Sequence, residues 1–206
     1  MANTADKLMF YGSGKMYCIL YDQSTFPVVD MSKEQVDLSA LKAFLAANVK
    51  DENIIGYLKG GAKVTVSTEK LEDKSDLGEM KIDLIRDETS TFEFALFNAN
   101  TETIAKLYPT AANKKSAEGD SITAVGGLNN MDEKSYVLIF RKQNSNLFAI
   151  MVGKNTSGFE NAWTPDSVSP LNCSYQGQPF DESGRFYYLV EFKEDPALAI
   201  STTLIQ

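Results

Sequence analysis

Apolar and polar residues alternate with a period of two along most of the chain, the pattern of strands that bury one face. In residues 63–69, Val64 and Val66 fall on one side and Thr65, Ser67 and Glu69 on the other. Residues 80–86 repeat this, with Met80, Ile82 and Leu84 against Lys81 and Asp83. The two runs are expected to pair as a hairpin across the long, charged connection 70–79. A further strand over 89–97 sets Phe92, Phe94 and Leu96 against Thr91 and Glu93. Half-buried strands are also predicted where Leu171, Cys173 and Tyr175 alternate with Asn172, Ser174 and Gln176, and where Phe186, Tyr188, Val190 and Phe192 alternate with Tyr187, Leu189 and Glu191. A leading strand is expected over 16–21. The glycine pairs Gly60–Gly61 and Gly126–Gly127 punctuate strand ends, and 114–120 is expected to be a polar loop.

Three segments depart from this alternation. Residues 136–140 and 147–152 are apolar on both faces and flank a turn at Gln143, Asn144, Ser145 and Asn146. Such a hairpin has to be covered on two sides; the second cover is a helix carrying Ile104, a larger helix near residue 40, or a neighbouring subunit. The larger helix is predicted over 34–49, where Leu38, Leu41, Phe44 and Leu45 recur at spacings of three and four, with Ser32 and Gln35 as a capping box. The shorter one has Asn100 as N-cap, Glu102 near the positive end of its dipole, apolar Ile104, Leu107 and Tyr108, and a stop at Pro109. No repeat of 20 to 50 residues is visible, which excludes a solenoid.

Composition agrees with a packed fold: of 206 residues 43% are hydrophobic, with 12 Phe and 9 Tyr. The net charge of −8, with cations scattered among acids, argues against tight phosphate binding, which needs clustered cations. Cys18 and Cys173 are far apart in apolar surroundings and are expected to be buried thiols; without a CxxC pair there is no zinc ribbon or redox motif. Residues 1–10 lack the cationic start and apolar run of a secretory signal, and no stretch approaches the ~20 apolar residues of a membrane helix. Folding in solution, without membrane insertion, is the expectation.

The candidate chemistry is sparse. There is no histidine, so the usual serine and cysteine triads cannot be assembled. Paired carboxylates could be drawn from 28 acids, but none has a local motif, and solvated charge accounts for them better. Gly12, Ser13, Gly14 and Lys15 lack the spacing and the strand–helix context of a phosphate loop. Glu72, Asp73, Asp76 and Glu79 have the composition of a calcium site without its ligand order or central glycine. No catalytic, cofactor-binding or metal-binding residue is assigned, no cofactor is expected, and the chain is not expected to be an enzyme.

Two stretches resemble the major tail protein (tail tube protein) family of long-tailed, siphovirus-type bacteriophages. The first runs from Ile54, Ile55, Gly56 and Tyr57 through Gly60, Gly61 and Ala62 into the strand at 63–70, then Lys74, Ser75, Asp76, Leu77 and Gly78 and the strand at 80–86. The second is 92–98 followed by Asn100, Thr101, Glu102, Thr103, Ile104, Ala105, Lys106 and Leu107. A later hairpin over 135–152 and the closing Phe192, Lys193, Glu194 and Asp195 extend the resemblance over 54–196. It implies a mainly β fold, a β-sandwich or barrel of the phage tail tube type with a flanking α-helix, extended arms and a hairpin loop. The division it suggests is an N-terminal arm, first strand and amphipathic helix at 1–53, the tail-tube core at 54–196, and a C-terminal arm at 197–206, all one structural domain.

The function implied is that of a structural virion protein. The family implies six copies per ring, and rings stacked into a tube assembled in the host bacterial cytoplasm around a lumen for DNA. Tape-measure, tail terminator and distal tail proteins would be its partners, and double-stranded DNA would pass without specific binding. A polar face such as Thr65, Ser67, Thr91 and Glu93 would suit the lumen. The connection 70–79, the arm 1–14 and the tail 196–206 resemble the family's inter-ring projections. Alternatives are the tube of a contractile tail or a type VI secretion system, and a carbohydrate-binding β-sandwich using Trp163, Tyr175, Phe180 and Tyr187 as a platform.

Overall fold

The computed structural model describes residues 14–74, 81–97, 101–127, 134–160, 163–164, 167–168, 170–194 and 196. Among these, the strands are β1 (Gly14–Leu20), β2 (Ile54–Lys74), β3 (Lys81–Leu96), β4 (Ala111–Lys115), β5 (Ser121–Val125), β6 (Tyr136–Lys142), β7 (Leu147–Asn155), β8 (Trp163–Thr164), β9 (Ser167–Val168), β10 (Leu171–Gly177) and β11 (Tyr187–Glu191). The helices are α1 (Ser39–Asn48) and α2 (Thr101–Leu107). The protein is mainly β, built on a closed barrel of six strands.

Antiparallel pairing runs in the order β10-β3-β2-β1-β6-β7, and a second pairing of β10 with β7 closes the ring. β7 is the branch point. Its edge is shared, with β11 bonded along Leu147 to Met151 and β10 along Gly153 to Asn155. Closure happens where Gly177 stands opposite Gly153. A Cβ on Gly153 would land on the Gln176 carbonyl, and one on Gly177 on the Ser90 hydroxyl. Only glycine lets the backbones meet there.

Two apolar cores lie on opposite sides of the barrel wall. Inside, Met16, Cys18, Ile55, Phe92, Phe94, Leu138, Met151 and Tyr175 pack together with Leu107, the last residue of α2, and Tyr108 after it. The α2 region is tied on by the Tyr108 hydroxyl donating to the Asn172 carbonyl at 3.1 Å and by the Asn155 amide donating to the Leu107 carbonyl. Outside, Tyr17, Val137, Ile139, Phe148, Ile150 and Val152 are covered by Leu41 and Leu45 of α1, by Phe26 and Val29, and by Phe180, Tyr188 and Phe192. The Val29 amide donates to the Tyr188 hydroxyl at 3.0 Å, which fixes this covering segment to β11. The larger of the two predicted helices is therefore the second cover of the two-faced hairpin.

Several expectations are corrected. The strands expected at 80–86 and 89–97 are one strand, β3. Its register slips between Glu69 and Lys70, where Asp87 and then Ile85 are the partners and Arg86 is the extra residue. That bulge shifts the side-chain phase, so one strand reads as two. The connection expected at 70–79 is shorter, because the ladder continues to Lys74 opposite Lys81. Gly60 and Gly61 do not end a strand; at φ 82° and 85° they form an irregularity within β2, between Leu58 and Ala62.

The polar loop expected at 114–120 is present as the exposed turn 116–120, with the Ser116 amide donating to the Asp120 carbonyl at 2.8 Å; Lys114 and Lys115 belong instead to β4, and the β4–β5 hairpin on either side is not among the predicted strands. Its strands are mostly exposed and so lack alternation. The predicted helix 34–49 begins only at Ser39, and no capping box forms. Ser32 is turned back to Asp30, its amide and hydroxyl donating to the carboxylate at 3.0 and 2.6 Å. The first strand, grouped with 1–53 from sequence, is a barrel stave between β2 and β6. Asn100 and the tail 197–206 lie outside the described residues, as does the arm up to Ser13.

Two outcomes follow from closure and burial. Gly153→Ala is expected to cost about 1–3 kcal/mol in a denaturant melt, because backbone must shift to admit the methyl group. Burial pushes the Cys18 and Cys173 thiols up to about 12. Below the ordinary thiol value both states are protonated and the contribution to stability is full. As pH rises from about 9 towards 12 the unfolded chain loses these protons first, so stability falls. Denaturant midpoints measured from pH 7 to 11 should decline above about pH 9, and native thiols should stay silent to a disulfide reagent at pH 8.

Candidate assembly surface

The half of the barrel wall not covered by α1 carries the polar alternate positions of β2, β3 and β10. Register places Lys63, Glu93 and Ser174 in one row and Thr65, Thr91 and Gln176 in the next. Lys63 and Glu93 form an ion pair at 3.5 Å, so the belt's ammonium is neutralised within it. The set expected to face a lumen, Thr65, Ser67, Thr91 and Glu93, does fall on this outer side, opposite buried Phe92 and Phe94.

Beyond the belt, β2 and β3 leave the barrel as a two-stranded ribbon. β1 pairs with β2 only between Ile54 and Tyr57, and β10 pairs with β3 only between Thr91 and Leu96. Among the described residues, β3 from Lys81 to Ser90 therefore has no strand on its second edge, and neither does β2 beyond Leu58. β11 likewise pairs on one side alone. Exposed strand edges template pairing with another chain, and a two-stranded ribbon is marginally stable without further cover.

Between the ribbon and β11 an apolar groove of about 260 Å³ opens into the barrel. Phe92, Phe140 and Ala149 form its floor, and Val66 and Leu189, 49% and 40% exposed, stand at its rim. Apolar side chains flanked by open edges combine the two features of a protein contact site, dry area and unsatisfied backbone.

The other candidates do not converge. Tyr175 is fully buried inside the barrel and Phe180 is buried in the outer core, so the aromatics proposed as a sugar platform do not share a surface; the Trp163 side chain is outside the description. Among the described residues no group of three or more His, Cys, Asp or Glu is placed to hold a metal. Glu72 and Asp73 lie in β2, while Asp76 and Glu79 lie outside the described residues. Gly14 and Lys15 open β1, and Lys15 is paired with Asp51 at 3.7 Å. No described helix is long and apolar enough to cross a membrane. Sequence patterning missed the groove and the open edges because they arise from where neighbouring strands stop.

Comparison with protein-family models and with curated proteins finds no match to this chain.

In dilute protein the ribbon amides of β2 and β3 beyond Val66 should exchange with deuterium far faster than those of the β6–β7 ladder, since their bonds open by local fraying. Equal protection in the two ladders would show the ribbon to be self-sufficient.

Proposed function

We propose that this protein is the subunit of a hollow tube, the major tail tube protein of a long-tailed bacteriophage, assembling with copies of itself and catalysing nothing. The observation that carries this reading is the β2–β3 ribbon with both edges open beside an apolar seam. A second copy satisfies both at once: its strand edge takes up the free amides and carbonyls, and its side chains cover Val66 and Leu189. Repetition of such a head-to-tail contact closes into a ring when the rotation allows.

The polar belt supports the same reading. Hydroxyl and amide side chains with a self-paired lysine give a wall that water wets and that offers phosphates no cluster of cations. With a net charge of −8 the chain repels a polyanion in transit. Rings stacked around a lumen, with a tape-measure protein setting length and terminator and distal proteins at the ends, complete the proposal; the site is the virion tail.

Negative-stain microscopy of concentrated protein should reveal rings or hollow tubes. The variant V66K/L189K should keep a thermal midpoint near that of the parent, because both positions are half exposed, and should form neither. Dispersed small particles of the parent at high concentration, with and without the virion partners, would remove the proposal's support.

A further inference from the structure

Cations that lie far apart in the sequence are gathered by the fold at one end of the barrel. Lys106 stands in the last turn of α2, Lys134 just before β6 and Lys154 near the end of β7, and all three line one cleft of about 510 Å³. The base of the cleft is apolar, with Leu107, Pro109 and Tyr136 in it. The chain holds 28 acids against 20 cations, yet no Asp or Glu lines this cleft among the described residues.

Local structure accounts for only part of that gathering. A lysine in a last helical turn is favoured by the helix dipole, which explains Lys106 but neither Lys134 nor Lys154. Glu102, one turn before Lys106 on α2, is engaged by Lys115 instead. Neither Lys106 nor Lys154 is in an ion pair among the described residues.

The uncharged lining residues add donors and rigidity. Gln178 accepts from the Ser135 hydroxyl through its Oε1, and its Nε2 hydrogens have no partner among the described residues. Register sets Gln176 beside Lys154 across the β10–β7 pairing. Buried Asn155 is held from two directions, donating to the Leu107 carbonyl and accepting from the Ser157 amide and hydroxyl, which fixes the wall between α2 and β7. The cleft thus offers positive charge and N–H donors, and no carboxylate of its own to receive them.

We propose that this cleft binds a small organic acid, a carboxylate carried on an apolar body such as an aryl ring or a short acyl chain. Ammonium groups supply point charge and rotatable donors for the acidic oxygens. Leu107, Pro109 and Tyr136 supply dry area that an inorganic anion would leave unused. The net charge of −8 repels a polyanion on approach, so a single carboxylate is the better match. The volume is that of a small-molecule pocket. The site is complete within one copy and does not depend on assembly.

Calorimetric titration of the full-length chain with phenylbutyrate, neutral phenylbutanol and acetate tests it. Phenylbutyrate should bind saturably, and phenylbutanol and acetate each about tenfold more weakly or worse, since each lacks one half of the recognition. K106Q/K154Q should weaken phenylbutyrate about tenfold, K106R/K154R should restore most of that loss, and K42Q on α1 should change nothing. If the double glutamine variant loses its thermal transition, K106Q and K154Q singly carry the test with smaller shifts. Absence of saturable binding, equal affinity for phenylbutyrate and phenylbutanol, or parent-like binding by the glutamine variants overturns the proposal. A capped Leu-Glu-Leu peptide that binds more tightly than phenylbutyrate also overturns it, in favour of an acidic protein partner. The tube reading is decided separately, by microscopy.

Discussion

From Leu147 to Val152, β7 has no side that faces water. Every side chain from Leu147 to Val152 is buried, with Ala149 and Met151 turned into the barrel and Phe148, Ile150 and Val152 turned out under α1. A strand of this kind has to sit between two apolar layers, because exposing either face would forfeit ~1.5–3 kcal/mol for each large side chain. The barrel supplies one layer. The second is assembled from α1, the segment around Phe26 and Val29, and the chain after β10.

Covering β7 leaves the molecule lopsided. The apolar covering material is concentrated on the β1–β6–β7 side, and β2, β3 and β10 present their polar positions to solvent. β11 also belongs to the covering layer, and by taking the Leu147 to Met151 edge it holds β10 to the far end of β7. The gap between β11 and β3, the groove within it and the open ribbon edges are results of that fork. The groove and open edges proposed for assembly are thus a by-product of burying one strand twice.

Much of this was legible in the sequence. The two-faced runs at 136–140 and 147–152 identify the central hairpin, and the spacing of Leu41 and Leu45 identifies its cover. Phe92, Phe94, Leu171, Cys173 and Tyr175 fall inside as alternation requires. Errors arose where a local event changed the phase, as at Arg86, or where strands are solvated on both faces, as in β4 and β5. Ser32 looked like a cap because it has the right residue type, but the nearer carboxylate of Asp30 engaged it first. The open edges could not be read at all, since pairing partners are set by tertiary closure and have no periodicity of their own.

The position of β1 bears on when the molecule can exist during synthesis. Its partners are Ile54 to Tyr57 on one side and Tyr136 to Lys142 on the other, and the ring is sealed only by Gly177. A nascent chain therefore has to emerge at least as far as Gly177 before the barrel can close, and loop closure over so many residues slows the step. Until then neither the groove nor the closed end that receives α2 exists. The surface proposed for self-assembly thus comes into being only after residues more than 100 positions apart have met, and synthesis itself sets the earliest moment at which it can act.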